Sequence, residues 1–325
     1  MRIHRLIVVL LILALTTVAC DVPGISTATT PPAPEPTDPP TMATEPSHTP
    51  TPAASPTPKP TPAPASQRPL LDQVLEAGKL VVSTDPNYPP QSFTNDAGDM
   101  EGFDVDVAKE VASRLGVELE FVTPDWDLIT AGDWGGRWDV SIGSMTPTEE
   151  RGQVLWFTDA YYYTPASFAV HSDNKTIETV ADLTGKTVGL GVATTYEAYL
   201  EGSLSIMGGE IAYDPPPGIE IWQYVTDAEA FADMKLGDGV RLDAVMSAQP
   251  TIQDAIDEGY PLQFLGTPAF YEPLVFAMDK ARAPSDTMVD RLNEIIAAMQ
   301  EDGTLVELSL KWYGIDVTTI QQPPD

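Results

Sequence analysis

From about residue 79 onward, short apolar runs rich in β-branched residues alternate with stretches whose apolar residues recur at helical spacing. That alternation restricts the folded part to an α/β architecture with largely parallel sheets. Leu80-Val81-Val82-Ser83-Thr84 reads as a strand. Between Gly102 and Gly116, Phe103, Val107, Val111 and Leu115 stand four apart, and Gly116 supplies a helix stop. Val117, Leu119 and Phe121 alternate with Glu118 and Glu120, the signature of a half-buried strand. Further strands are expected at 139–144, 187–192 and 243–247, and helices at 194–207, 251–258, 286–300 and 304–312. Two extended apolar runs, 161–170 and 271–278, have no convincing helix beside them. Two such crossings fit a pair of lobes joined by paired hinge strands.

Composition divides the chain before that pattern begins. Residues 1–20 read as an export signal: Arg2, His4 and Arg5 precede the apolar run 6–15, then small residues lead to Cys20. The apolar run is short for a bilayer span. Residues 21–69 hold 16 of the 32 prolines among Thr, Ala and Ser, and are expected to be an extended linker. The first 69 residues are neutral, so the net charge of −31 sits on residues 70–325. An acidic surface of that size disfavours nucleic-acid and anionic-lipid partners, both of which need Lys and Arg. Cys20 is the sole cysteine, which excludes an internal disulfide and a cysteine-held metal. Of three histidines only His171 lies in the folded part, so histidine metal sites and Ser/His/Asp catalysis are excluded by count. No cofactor is expected.

An ordered set of motifs then becomes specific. Ser83-Thr84-Asp85-Pro86-Asn87-Tyr88-Pro89-Pro90 precedes Gly102-Phe103-Asp104-Val105-Asp106. Gly143-Ser144-Met145-Thr146, Thr148-Glu149-Glu150-Arg151 and Phe157-Thr158 follow, then Asp182-Leu183-Thr184-Gly185-Lys186. Near the end stand Gln300-Glu301-Asp302-Gly303 and Lys311-Trp312-Tyr313-Gly314. The set resembles the polar amino acid class of periplasmic solute-binding proteins of ABC importers, over essentially all of residues 70–325. The end of the leader likewise resembles a lipobox, which implies lipidation of Cys20, although Thr17 departs from the usual aliphatic residue.

The resemblance implies a two-lobe, type II periplasmic-binding-protein fold with a double hinge. Lobe 1 would comprise about 70–165 plus 268–325, and lobe 2 about 166–267. It implies a monomer, extracytoplasmic and held to the membrane by its lipid only, that delivers a small polar, carboxylate-bearing ligand to permease subunits. Arg151 matches the arginine that grips a carboxylate, for which a planar guanidinium is suited; the plainer alternative is a surface pairing with Glu149 or Glu150. Ser144 and Thr146 match positions that offer backbone and hydroxyl groups, or else simply cap a strand end. Thr194, Thr195 and Tyr196 stand at a helix start that would close onto the carboxylate. Trp126 and Tyr88 would wall the ligand's side chain, and Asp85 would meet a distal polar group.

Two departures stand out. The strand 243–247 is followed by Ala248, where the family usually places an aspartate for the ligand's ammonium. Gln249, Ser247 and Asp85 are the substitutes in reach, unless the ligand lacks an α-ammonium. The segment 132–137 is rich in Gly and Trp where a helix is usual, and is expected to reshape the cleft mouth. The rivals are an enzyme on the same fold, of dehydratase or lytic transglycosylase type, using Asp85, Asp125 or Asp127, and a sensor acting through a separate partner.

Overall fold

The computed structural model describes residues 68–319. The leader, Cys20 and the linker up to residue 67 lie outside the described residues, as do the last six.

In chain order the first part comprises α1 (Leu70–Ala77), β1 (Lys79–Ser83), a small antiparallel sheet of β2 (Asn87–Tyr88), β3 (Ser92–Thr94) and β4 (Met100–Glu101), then α2 (Phe103–Leu115), β5 (Glu118–Val122), α3 (Trp126–Thr130) and β6 (Val140–Met145). After β7 (Leu155–His171) come β8 (Thr187–Gly191), α4 (Thr195–Leu200), β9 (Glu210–Ile211), β10 (Glu220–Tyr224), α5 (Asp227–Met234), β11 (Ala244–Ala248) and α6 (Gln249–Asp257). The chain returns through β12 (Leu262–Asp279) and ends in α7 (Asp286–Glu301) and α8 (Thr304–Tyr313).

The main sheet runs β10-β8-β11-β7-β12-β6-β1-β5, with β9 added on β12. β7 and β12, of 17 and 18 residues, are about three times the usual strand length. They pair antiparallel from Leu262 opposite His171 to Asp279 opposite Leu155, and so run through both lobes. Outside them each lobe keeps parallel pairs: β1 with β5 and β6, and β8 with β10 and β11. The pairing of β7 with β12 is interrupted between Leu265 and Phe270. Pro268 has no N–H to give the ladder there, and Gly266 sits at φ +70°, where a Cβ would meet Val180 at 2.9 Å.

Each lobe has its own core, as strand faces dictate. In lobe 1, Phe103, Val107 and Val111 of α2 meet Leu80 and Val82 of β1 and Leu292, Ile295 and Met299 of α7. In lobe 2, Ala244 and Met246 face Tyr196 and Tyr199 of α4, while Val245 faces Phe231 of α5 and Ile252 of α6. β11 is buried along its whole length, the condition of a strand covered on both faces.

Two expectations are corrected. The helix expected over 194–207 stops at Leu200, and Gly202 follows at φ +71°. The rest crosses to the other lobe: Met207 donates to the Pro147 carbonyl at 2.9 Å and Glu149 to that of Ser205 at 3.2 Å. The Gly/Trp segment 132–137 does not line the cleft cavity. Trp134 and its neighbour Trp138 are buried in the core under α3, the Trp134 indole donating to the Ile129 carbonyl at 2.9 Å.

Candidate functional site: a closed inter-lobe cleft

Strand ends and helix starts of both lobes converge where the two halves of the sheet meet, the usual place for ligands in α/β folds. Lobe 1 brings Asp85 and Tyr88 from beyond β1, Trp126 from the first turn of α3, and Gly143, Ser144 and Thr146 from the end of β6. Arg151 begins a single 3-10 turn. Lobe 2 brings Gly191 to Tyr196 and the start of α5, and β12 brings Glu272. The cavity they enclose is about 60 Å3, and nine of the ten residues expected from sequence line it. A wider cavity of about 770 Å3 adjoins it and shares Arg151, Thr194 and Thr195 with it.

The tenth, Gln249, is a correction. β11 ends at Ala248, the chain turns into α6, and Gln249 becomes the first helical residue. Its side chain lines a separate cavity with Pro90, Gln253 and Trp312.

Arg151 is only 8% exposed, so it is not a surface arginine paired with Glu149 or Glu150. Its Nη1 donates to the Thr146 carbonyl at 3.0 Å and its Nη2 to the Ala193 carbonyl at 2.8 Å. The guanidinium lies 5.5 Å from the Trp126 ring centroid, and the Trp126 indole donates to the same Ala193 carbonyl at 3.2 Å. Ala193 therefore latches lobe 2 onto both groups, from a left-handed backbone conformation with φ +58°. Burial lowers the Arg151 pKa to about 10, with the Glu272 charge pulling it upward, so the guanidinium stays charged at neutral pH.

The hydroxyls of the site are largely committed. Ser144, at φ +59°, turns its Oγ into the core, donating to Asp104 at 2.6 Å and meeting the Tyr162 hydroxyl at 2.5 Å. Its backbone N–H is committed as well, donating to the Tyr161 hydroxyl at 3.2 Å. Burial raises the Asp104 carboxyl to about 7, against the hydrogen bonds from Ser144 and Tyr161. Thr194 caps α4, its hydroxyl accepting from the Glu197 N–H at 3.3 Å. Thr146 and Thr195 both donate to one oxygen of Glu272, at 2.5 and 2.9 Å, so a single carboxylate ties the lobes. The hydroxyls of Tyr88 and Tyr196 meet across the gap at 3.2 Å, and Gln91 donates to Thr251 at 3.0 Å. The cleft is closed.

Asp227 and Glu272 were missed by sequence reasoning. Asp227 is 7% exposed and accepts from the Gly191 N–H at 2.9 Å and the Ser247 hydroxyl at 2.5 Å. Burial pushes its carboxyl up to about 6, reinforced by the nearby charges of Asp85 and Glu272. Its element, α5, is announced by a capping box, Thr226 with Glu229, a pattern visible in the sequence. Glu272 is the one acid in the expected strand 271–278, a signal of the same kind. Burial raises its carboxyl, while Thr146, Thr195 and Arg151 favour the charged form. Among the described residues no group of three or more His, Cys, Asp or Glu is arranged to hold a metal ion.

Residues 80–315 match the family model of bacterial extracellular solute-binding proteins, family 3. The L-cystine-binding protein TcyJ of Escherichia coli (strain K12) is 32% identical over 251 residues, 77% of this chain and 88% of that protein. The histidine-binding periplasmic protein of Salmonella typhimurium is 29% identical over 244 residues, 74% of this chain and 89% of that one. Among solved structures, the ancestral amino acid-binding protein AncCDT-1, a precursor of cyclohexadienyl dehydratase, is similar with a TM-score of 0.65 and 30% identity. The match covers 75% of this chain and 99% of that one. An ancestral arginine-binding protein bound to arginine is similar with a TM-score of 0.64 and 30% identity, over 73% of this chain and 99% of its own. With more than half of its length matched and two long strands threading a pair of α/β lobes, the chain belongs to the family-3 bacterial extracellular solute-binding proteins.

Proposed function

We propose that this protein is the solute-binding lipoprotein of an ABC importer and that it closes on an amino acid. The observation that carries the reading is Arg151: a buried, charged guanidinium against the Trp126 face, in a cleft whose other wall brings in a carboxylate, Asp227. A guanidinium and a carboxylate in one small cavity suit a zwitterion. The cystine-, histidine- and arginine-binding relatives support the same ligand class. In this reading Cys20 carries the lipid, residues 21–69 are the tether, and the protein works outside the cytoplasm as a monomer that hands its cargo to permease subunits. The lobes meet near residues 165 and 268, where the ladder of β7 and β12 is interrupted. Arg151 and Trp126 hold the ligand in the open form, and closure adds the turn 193–196.

A thermal-shift screen against the common L-amino acids tests this. A ligand at a hundredfold excess over its Kd stabilises by about 2.7 kcal/mol, a rise of roughly 5–10 °C for a domain of this size. Arg151→Ala should abolish the rise while the variant still unfolds cooperatively. If no amino acid moves the melting temperature, the reading fails. The raised carboxyls in the cleft are the ingredient a general acid needs, so chromatography of each hit after incubation separates binding from turnover.

A further inference from the structure

Beyond the end of α4 at Leu200 the chain turns back on itself. The N–H groups of Ser203 and Leu204 both reach the Ala198 carbonyl, at 2.9 and 3.1 Å. The chain then runs to β9, which pairs with Phe270 and Tyr271 of β12. Leu204 and Ile206 pack against the lobe 2 core. At Gly209 a Cβ would stand 2.9 Å from the Tyr271 carbonyl oxygen, so the segment lies hard on the strand and only glycine fits. Residues 203–211 therefore belong to lobe 2.

Their outer backbone edge reaches lobe 1. Ile206 is bridged antiparallel to Thr148, with the Met207 N–H on the Pro147 carbonyl at 2.9 Å and the Glu149 N–H on the Ser205 carbonyl at 3.2 Å. Thr148 also starts the turn that carries Arg151. Its hydroxyl accepts from the Arg151 N–H at 3.1 Å and its carbonyl from the Gly152 N–H at 2.9 Å. Met207 lies over that turn: a Cβ on Gly152 would stand 3.3 Å from its Cε. None of residues 203–207 lines the small cavity, so the pairing acts on a ligand through the Arg151 turn.

With the cleft as an amino-acid site, on which this inference rests, we propose that residues 203–207 are a strap. It pairs with 147–149 each time the lobes shut, fixes the Arg151 turn and slows release of the ligand. Separation of the lobes breaks both hydrogen bonds, because each joins one lobe to the other. Two such bonds slow release by roughly tenfold to a hundredfold. Uptake begins in the open form and is untouched. Ser205, Ile206 and Met207 are positioning residues and touch no ligand.

A reversible cross-link tests the pairing. Opposed residues of this kind, flanked by their hydrogen bonds, lie about 4.5 Å apart at Cα, within disulfide range. Thr148→Cys with Ile206→Cys is made in the full chain carrying Cys20→Ser, so that the new pair stands alone. The probe is a radiolabelled mixture of the common L-amino acids, loaded on the reduced protein and chased with unlabelled mixture before and after oxidation. Domain opening takes microseconds to milliseconds and uncatalysed disulfide rearrangement minutes to hours, so the oxidised protein should release label at least roughly a hundredfold more slowly. Reductant should restore the rate. Met207→Pro removes one donor and should release label about fivefold faster than wild type at unchanged uptake. Met207→Leu keeps the N–H and should release it as wild type does. Oxidised protein that exchanges label as fast as reduced protein overturns the strap, since the pairing then survives opening. So do cysteines that fail to bond under oxidant, and a Met207→Pro variant with the wild-type release rate. Reduced protein that takes up no label overturns the amino-acid reading and, with it, the role of the strap.

Discussion

Replacing Asp104 by Asn should make the protein more stable, and increasingly so as pH rises. Asp104 is fully buried behind the cleft floor, and among the described residues its carboxyl group meets only the hydroxyls of Ser144 and Tyr161, at 2.6 and 2.5 Å. Its carboxyl titrates near 7 in the folded protein, against the ordinary aspartate value of 3.8. Between those values the native state holds a proton that the unfolded chain has released, so stability falls as pH rises. At 1.36 kcal/mol per unit, the whole penalty is about 4 kcal/mol, of which roughly 3 accrues between pH 5 and 8. Asparagine is a permanent stand-in for the protonated acid: its Oδ1 can accept from Tyr161 and its Nδ2 can donate to Ser144, whose proton then turns to Tyr162. Urea unfolding followed by tryptophan fluorescence at pH 5, 6, 7 and 8 measures the difference. Asp104→Asn should gain about 3 kcal/mol on wild type across that range at constant m-value. A difference that stays flat with pH would show that Asp104 is ionised in the fold, and the account of this network would be wrong.

Trp134→Ala should cost about 3–5 kcal/mol in urea unfolding, because a fully buried indole and its hydrogen bond to Ile129 leave a cavity. Little change would mean the Gly/Trp segment is not part of the core. Gly191→Ala should weaken ligand binding roughly tenfold and cost about 1–3 kcal/mol of stability, since the new Cβ would stand 2.8 Å from Asp227 Oδ1. An unchanged affinity, measured by calorimetry, would place Asp227 outside the ligand's reach.

Much of the architecture is written locally. The four-residue spacing from Phe103 to Leu115, bounded by Gly102 and Gly116, needs only helix geometry to be read, and α2 spans Phe103–Leu115. The alternation at 117–121 and the continuous run at 244–247 likewise specify a half-buried and a fully buried strand. Arg151, Trp126 and Tyr88 could be singled out because their order and neighbours match a family pattern. Where local signals are weak the sequence is silent. β10 has only two half-buried residues, Ile221 and Tyr224, among exposed Glu220, Trp222 and Gln223, so it does not stand out as a strand.

The charge balance of the cleft was decided only by tertiary structure. Asp227 and Ala248 stand 21 positions apart in the chain, and only the packing of α5 beside β11 sets the Asp227 carboxylate against Ser247. Likewise Ser144 and Thr194 look alike as hydroxyl donors in the sequence. The fold turns one into the core toward Asp104 and spends the other on capping α4. A residue's type and local spacing specify what it can bond. Which distant partner it meets, as Ser144 meets Asp104 and Asp227 meets Ser247, is settled only when each lobe packs its helices against its strands.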